Sequence, residues 1–268
     1  MTVIWLDHCA STQDELSQAD QAVIAVATLN QSAGRGRRGR AWQSPKGAGL
    51  ALSWRAAVND LAIEDLPLLS LASGVALYRT LSQYLTQPLT QPLTRSLTRS
   101  QAALSQTDEP INELCLKWPN DLLFQHRKLA GILCEGRITN NGQAVLVGIG
   151  LNLFHHHEFP QEYAILSELG IQLESASTLK EARDIQEFCH RLIAELEQAL
   201  NELKEHKAGL LAQWQRFGLS LGTHLKAAGY QGVYQGINAQ GALLLDINGQ
   251  VISVESGEVH LLSLASHL

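Results

Sequence analysis

The sequence predicts an α/β domain over residues 1–219, followed by a small antiparallel β unit over 220–268. Three observations carry that expectation. Before residue 219, apolar β-branched runs alternate with stretches of helical spacing. After it the helical period disappears, and short apolar runs are separated by Asn, Gly and Ser turns. The composition, 45% apolar and 17% charged over 268 residues, is that of an ordinary globular chain with a sizeable core.

The elements follow in order. VIWL at 3–6 reads as a strand that stops at Ser11 and Thr12, where Thr12 and Glu15 fit a capping box opening a helix to about residue 19. AVIAVAT (22–28) is a buried strand. Residues 30–47 hold glycines and a proline with no hydrophobic period, a long loop of the kind that is functional or disordered. GLALSWR (49–55) returns to a strand, and a helix is expected from Ile63 to Leu85, with Leu66, Leu69, Ala72, Ala76 and Leu77 at helical spacing. Within 86–112 a Thr-[Gln/Arg]-[Pro/Ser]-Leu unit recurs and Pro88 and Pro92 bar a helix, which reads as a low-complexity surface insertion.

LCLKW (114–118) is a strand ending in a Pro119-Asn120-Asp121 turn, and a second turn falls at Gln125–Arg127. KLAGILCEGR (128–137) and QAVLVGIGLNL (143–153) flank Asn140-Asn141-Gly142, a hairpin signal. Helices are expected at about 161–169 and 178–205, the second with Ile185, Cys189, Leu192, Ile193, Leu196 and Leu200 on one face, and a third ends near Phe217. HLKAAG, GVYQGI, ALLLDI, VISVE and VHLLSL then make a small antiparallel barrel.

The formal net charge of −6 argues against a chain that coats nucleic acid or a membrane surface. Apolar runs are broken before 18 positions, so no segment is expected to span a bilayer. The opening MTVIWLDHCASTQDE lacks a basic stretch and meets Asp7 early, which points to a cytoplasmic protein. Cys9, Cys115, Cys134 and Cys189 form no C-x-x-C pair and read as small buried hydrophobes.

Against that acidic balance, Gly34-Arg-Gly-Arg-Arg-Gly-Arg40 gathers four arginines. Its glycines allow a tight backbone, and its guanidinium groups bind phosphate or carboxylate in bidentate fashion. From the loop alone, an anionic substrate, a nucleic acid and a plain solvated loop all remain open; it holds no P-loop pattern, and it is not the dinucleotide fingerprint, whose G-x-G-x-x-G has to follow directly on a strand. Lys117-Trp-Pro-Asn-Asp121 and Lys128-Leu-Ala-Gly-Ile132 add two lysines and an aspartate near the ends of adjacent strands, where side chains are held firmly.

Together these segments resemble the bacterial biotin–protein ligases. The pieces, in order, are Ser11-Thr12, Gln31 to Arg40 with Trp42, Lys117 to Asp121, Lys128-Leu-Ala-Gly-Ile-Leu133, and Gly148-Ile-Gly-Leu-Asn152. The short C-terminal strands are similar to the family's SH3-like tail. The resemblance covers nearly the whole chain outside 86–112. It implies a mixed sheet with flanking helices of the class II aminoacyl-tRNA synthetase type and an SH3-like C-terminal domain. It also implies the chemistry: biotin and ATP as substrates, Mg²⁺ held mainly through the phosphates, and a biotin carboxyl carrier protein as acceptor. By resemblance, Lys128 lies between the biotin carboxylate and the α-phosphate. Lys117 contacts phosphates, and Asp121 orients a lysine or helps hold Mg²⁺. Ser11, Thr12, Gln13 and Gln31 face the ureido ring, with Gln13 departing from the family's usual Asn. Gly34, Arg35, Gly36, Arg37 and Gly131 frame biotin and the acyl-adenylate, and Arg38, Arg40, Trp42 and Asn152 lie toward the nucleotide.

Some members of the family carry an N-terminal helix-turn-helix and repress transcription; here the catalytic domain is expected to start at residue 1, so no DNA binding is expected, nor any membrane partner. Exposed edge strands allow a sheet-mediated homodimer. His155-His-His157 follows the Asn152 strand, but adjacent residues on an extended segment point apart, so no metal ligands are expected there. The rival readings are a lipoate–protein ligase, a nucleic-acid binder using the arginine loop, and a silent biotin-binding module. The charge balance and the absence of aromatics in 34–40 count against the second.

Overall fold

The computed structural model describes residues 2–86, 113–139, 142–174, 179 and 181–262. Strand β1 (Thr2–Leu6) and β2 (Val23–Thr28) run parallel, joined through helix α1 (Thr12–Gln18). Ser11, rather than Thr12, caps this helix: its Oγ accepts the Asp14 N–H at 3.4 Å from an extended backbone. The Thr12 hydroxyl is turned inward instead, toward Gln31 and Ser53.

The long loop is partly ordered by its own backbone pairing. β3 (Gly34–Arg35) and β4 (Ala41–Trp42) form a two-stranded ribbon around a 3-10 turn at Arg37–Gly39. After β5 (Gly49–Ala56), the single helix expected from Ile63 is divided. A 3-10 turn, Ile63–Leu68, contains Pro67, which has no N–H for a helical ladder, and α2 (Leu69–Thr86) follows it. β6 (Leu114–Lys117), β7 (Asp121–Phe124), β8 (Arg127–Thr139) and β9 (Gly142–Asn152) complete a mixed seven-stranded sheet of order β1-β2-β5-β9-β8-β7-β6. β8 and β9 stay in register to Thr139↔Gly142, as a hairpin requires. The insertion after Thr86 and the Asn140-Asn141 tip lie outside the described residues.

The helix expected at 161–169 is only a 3-10 turn, Leu166–Leu169, closed by Gly170 at φ 81°. α3 (Arg183–Glu205) and α4 (Lys207–Phe217) do form, and the expected apolar face of α3 is buried. With α2 they cover one face of the sheet, packing on Ala25, Ala27, Leu50, Leu52, Trp54, Val147, Ile149 and Leu151. The opposite face is closed only at one end, where Leu16 of α1 meets Val23, Val26 and Leu146. The rest of that face is left for a site.

β10 (His224–Ala227), β11 (Tyr230–Ile237), β12 (Leu243–Ile247), β13 (Gln250–Val254) and β14 (Val259–Leu261) form an antiparallel sheet of order β13-β12-β11-β10-β14, compatible with an SH3-like domain. Its interior is continuous with the main core: Leu225, Tyr234, Leu243 and Val259 join the cluster that holds Trp118 and Trp214. Trp118 Nε1 donates to Gly241 O at 2.8 Å across the junction. All four cysteines are free thiols, and burial pushes each of them up. No helix among the described residues is long and apolar enough to cross a membrane.

One part-buried charge cluster ties the helices together. Arg79 of α2 grips Glu202 of α3 through both nitrogens, at 2.7 and 3.0 Å, and also reaches Gln213 of α4. Burial raises the Glu202 carboxyl, but hydrogen bonds from Arg79 and Gln198 outweigh it and hold it below its ordinary value. Glu195 is the poorly served member. Its Oε2 is buried without a hydrogen bond, 3.8 Å from Arg79, and burial pushes its carboxyl above the usual range. A carboxyl raised by folding contributes stability at low pH and loses it as pH rises through the raised value. Glu195→Gln is therefore expected to raise the melting temperature over the wild type at about pH 8 and to give no gain at about pH 4. Thermal melts at both values check this; an equal shift at both would contradict it.

Candidate active site

The open sheet face carries a cleft of about 220 Å³, roofed by the 31–42 segment and rimmed by residues 257–260 of the C-terminal unit. Its floor is set by strand register. Ala51, Gly150, Gly131, Asp121 and Lys117 stand side by side across β5, β9, β8, β7 and β6. Two positions along β9, Ser53, Gly148 and Leu133 form a second row. The glycines keep the floor low: a Cβ on Gly150 would overlap the Trp42 indole, and one on Gly131 would lie 2.9 Å from it.

At one end the floor becomes charged. Asp121 accepts from both lysines, with Oδ2 3.1 Å from Lys117 Nζ and Oδ1 2.7 Å from Lys128 Nζ. The side chains of Asp121 and Lys117 are only 13% and 19% exposed, so each needs the other's charge. Regular alternation would turn Lys128 away from Gly131, three residues on. The β7–β8 register instead shifts between Leu122 and Leu123, a bulge that sends Leu129 into the core and Lys128 into the cleft. Lys128 Nζ also lies 5.4 Å from the Trp42 ring centroid, an electrostatically favourable position.

The other end is uncharged and polar. Gln31 Oε1 accepts from Thr12 N–H at 2.8 Å and from Thr12 Oγ1 at 3.1 Å, and Thr12 Oγ1 lies 2.8 Å from Ser53 Oγ. Gln13 crosses Gly148, where a Cβ would come within 2.7 Å of its amide nitrogen, and donates to Leu133 O at 2.9 Å. Its extra methylene over Asn thus places that amide on a strand carbonyl.

The arginines of the loop divide into two tethers and two that face the cleft. Arg35 binds both oxygens of Asp14, at 2.6 and 2.8 Å, and Glu135 at 3.1 Å; Asp14 and then Glu135 raise its pKa further. Its guanidinium therefore fastens the loop instead of covering a ligand. Arg40 is largely exposed and reaches Glu258 at 2.7 Å. Arg37 is half-buried, with weak contacts to Asn120 Oδ1 at 3.5 Å and Gly257 O at 3.4 Å. Burial, and then the neighbouring Arg38, lower its pKa. Arg38 is held at φ 56° and also lines the cleft. Gly34 lies beneath, where a Cβ would stand 2.6 Å from Gln31 Nε2 and 2.7 Å from Trp42 O.

Of the residues singled out in the sequence, Ser11, Thr12, Gln13, Gln31, Arg35, Gly36, Arg37, Arg38, Arg40, Trp42, Lys117, Asp121, Lys128 and Gly131 all line the cleft. Asn152 does not. It is 1% exposed, and its amide donates to Lys128 O and Ala164 O, both at 3.1 Å, so it braces the lysine's backbone and is not turned toward a nucleotide. Sequence reasoning missed Ser53, Gly148 and Gly150, although Gly-Ile-Gly on a strand does signal an emptied face. It gave no role to Asn120, although the residue lies inside the Lys117–Asp121 segment, and it missed Tyr163 and the 257–260 rim, which no local pattern marks.

Asp121→Asn would leave two ammonium groups around a neutral amide. Stability is expected to fall by about 1–3 kcal/mol, read as a lower urea midpoint. An unchanged midpoint would show that the lysines do not depend on the carboxylate.

Comparison with known proteins identifies the family and the fold. The family described as "Biotin/lipoate A/B protein ligase family" matches residues 7–152. The chain is 29% identical to the biotin–[acetyl-CoA-carboxylase] ligase of Mycobacterium tuberculosis, over 91% of this chain and 80% of that one. It is 33% identical to the bifunctional ligase/repressor BirA of Escherichia coli, over 93% of this chain and 68% of that one. Among solved structures, biotin protein ligase from Aquifex aeolicus in complex with biotin and ATP superimposes with a TM-score of 0.70 at 26% identity, covering 97% of each chain.

Proposed function

The chain belongs to the biotin/lipoate A/B protein ligase family, and from that premise we propose that it is an ATP-dependent biotin–protein ligase acting on a biotin carboxyl carrier protein. The observation that carries the reading is one cleft with an uncharged polar end at Thr12, Gln31 and Ser53 and a cationic end at Lys117 and Lys128. Biotin has the same polarity, a neutral ureido ring at one end and a carboxylate at the other. Ser11, Thr12 and Gln31 pair with the ring's donors and acceptors, which would otherwise be buried unsatisfied.

In the first step a biotin carboxylate oxygen forms a bond to the α-phosphorus of ATP, and the bond to pyrophosphate breaks. Two anions approach each other, so fixed positive charge matters most. Lys128 stands between carboxylate and α-phosphate, and Lys117 meets the phosphates. Asp121 holds both ammonium groups in place at no reorganisation cost. In the second step the acceptor lysine's neutral amine attacks the acyl carbon, AMP leaves, and the amine's proton is lost to solvent. Lys128 is placed to stabilise the departing phosphate oxygen.

Mg²⁺ accompanies the polyphosphate and supplies further charge neutralisation. The carboxylates lining the cleft among the described residues are Asp121 and Glu258, already engaged by two lysines and by Arg40. That donor set suits an ion held through phosphates. Arg37, Arg38 and Trp42 form the inner surface of the loop and screen the mixed anhydride from water. A cytoplasmic setting fits an enzyme that draws on ATP. A homodimer is part of the same proposal, with β1 as the pairing edge, since β1 is bonded on one side only.

The decisive experiment is mass spectrometry of an apo carrier domain incubated with this protein, ATP, Mg²⁺ and either biotin or lipoate. A mass gain with biotin alone is expected; a gain with lipoate, or none with either, would overturn the assignment. Lys128→Ala is expected to slow biotin-dependent pyrophosphate release by about 100-fold or more, and near-normal release would remove the lysine from the chemistry. Arg37→Gly is expected to let biotinyl-AMP escape into solution faster than from the wild type, measured by trapping it on an added amine. Unchanged escape would refute the shielding role.

A further inference from the structure

The His155–His157 run is a sequence feature that the ligase reading leaves unused. The structure departs from the extended segment expected there. Phe159 N–H donates to His156 O at 3.1 Å, closing a turn over 156–159. The His156 and His157 rings stack with centroids 4.5 Å apart and planes inclined by 25°. Nδ1 of His156 accepts the Glu158 N–H at 3.2 Å and lies 3.8 Å from Glu158 Oε2. One donor atom from each of His156, His157 and Glu158 falls within 4.8 Å of the other two.

We propose that these three residues form a binding site for a divalent transition metal of the Zn²⁺ type. Two imidazole nitrogens and one carboxylate oxygen suit Zn²⁺, Ni²⁺ or Cu²⁺, whereas Mg²⁺ and Ca²⁺ favour oxygen ligands alone. Bonds of about 2.0–2.1 Å in a tetrahedron put ligand atoms about 3.4 Å apart, so the cluster has to close by roughly 1–1.5 Å. His157 and Glu158 are exposed on the turn and can rotate without disturbing the core. The cation would take the Nδ1 lone pair from the Glu158 amide, which is at the surface and can turn to water. Three protein ligands leave a further position for water, so this is an open, exchangeable site.

Its position gives it a structural consequence. The turn continues through Phe159, whose ring is 6.1 Å from that of Tyr163. Tyr163 lines the cleft and is bridged to Lys128, whose N–H donates to Glu162 O at 2.9 Å. A bound metal would pin the outer end of the segment whose inner end flanks the lysine.

The test uses the tag-free full chain, stripped with chelator and titrated with Co²⁺ as a spectroscopic stand-in for Zn²⁺. A single saturable site with visible ligand-field bands is expected, displaced by Zn²⁺ and not by Mg²⁺. His156→Ala and His157→Ala should each weaken binding by more than the roughly 10- to 100-fold that loss of an outer partner costs, and Glu158→Gln should weaken it too. His155→Ala should bind as the wild type does. Failure to saturate, wild-type binding by His156→Ala or His157→Ala, or loss in His155→Ala would each overturn the site. The readout is metal binding, so it stands apart from the ligase assignment.

Discussion

Two ammonium groups held by one carboxylate are the feature on which the rest of the site depends. Lys117 and Lys128 could not be brought together in a part-buried cleft without a counter-charge, and Asp121 gives one oxygen to each. The sheet makes that arrangement rigid. Lys117 and Asp121 are register partners across a hairpin, and Asp121 is the partner of Gly131 on the next strand. Lys128 arrives from the bulge, the single irregularity in that pair, and Asn152 bonds its carbonyl from below. Each member is therefore located by backbone hydrogen bonds and not by the flexible length of a lysine, which is what charge stabilisation in a reaction requires.

The arginine loop uses the same principle at its ends and relaxes it in the middle. Arg35 is fixed to α1 and β8 through two carboxylates, and Arg40 reaches the C-terminal unit at Glu258. The first tether is the firmer: it is bidentate and less exposed, whereas Arg40 is 68% exposed and such pairs contribute little. Between them Arg37 and Arg38 have no comparable partner among the described residues and face the cleft. A segment anchored at one end, lightly held at the other and cationic within is suited to closing on an anion and opening to release it.

Much of this was legible in the sequence because it is local. Strand and helix periods located the sheet and the buried face of α3, and glycine with arginine marked the loop. What escaped depends on contacts distant in sequence. Asn152 sits at a strand end, where its type suits a ligand contact or a turn equally; only the approach of residue 164 shows that its amide is already engaged. The cap of α1 moved to Ser11 because Thr12 had a partner 41 residues away. The 161–169 helix was reduced to one turn, and the histidine run was gathered by a backbone bond that spacing cannot foretell.

The C-terminal unit shows how such distant contacts become part of the site. Trp118 follows Lys117 in the turn that holds Asn120 and leads into β7 at Asp121, and its indole lies in the shared core, donating to Gly241. Asn120 in turn donates to Ile132 O at 2.8 Å and faces Arg37. The C-terminal sheet thus meets the site at two points, through Trp118 beside the lysine–aspartate cluster and through residues 257 and 258 at the loop. With a packed apolar junction on one side and a surface ion pair on the other, the two points differ in stiffness. A firmly packed charge cluster and a lightly held cover thus share one cleft.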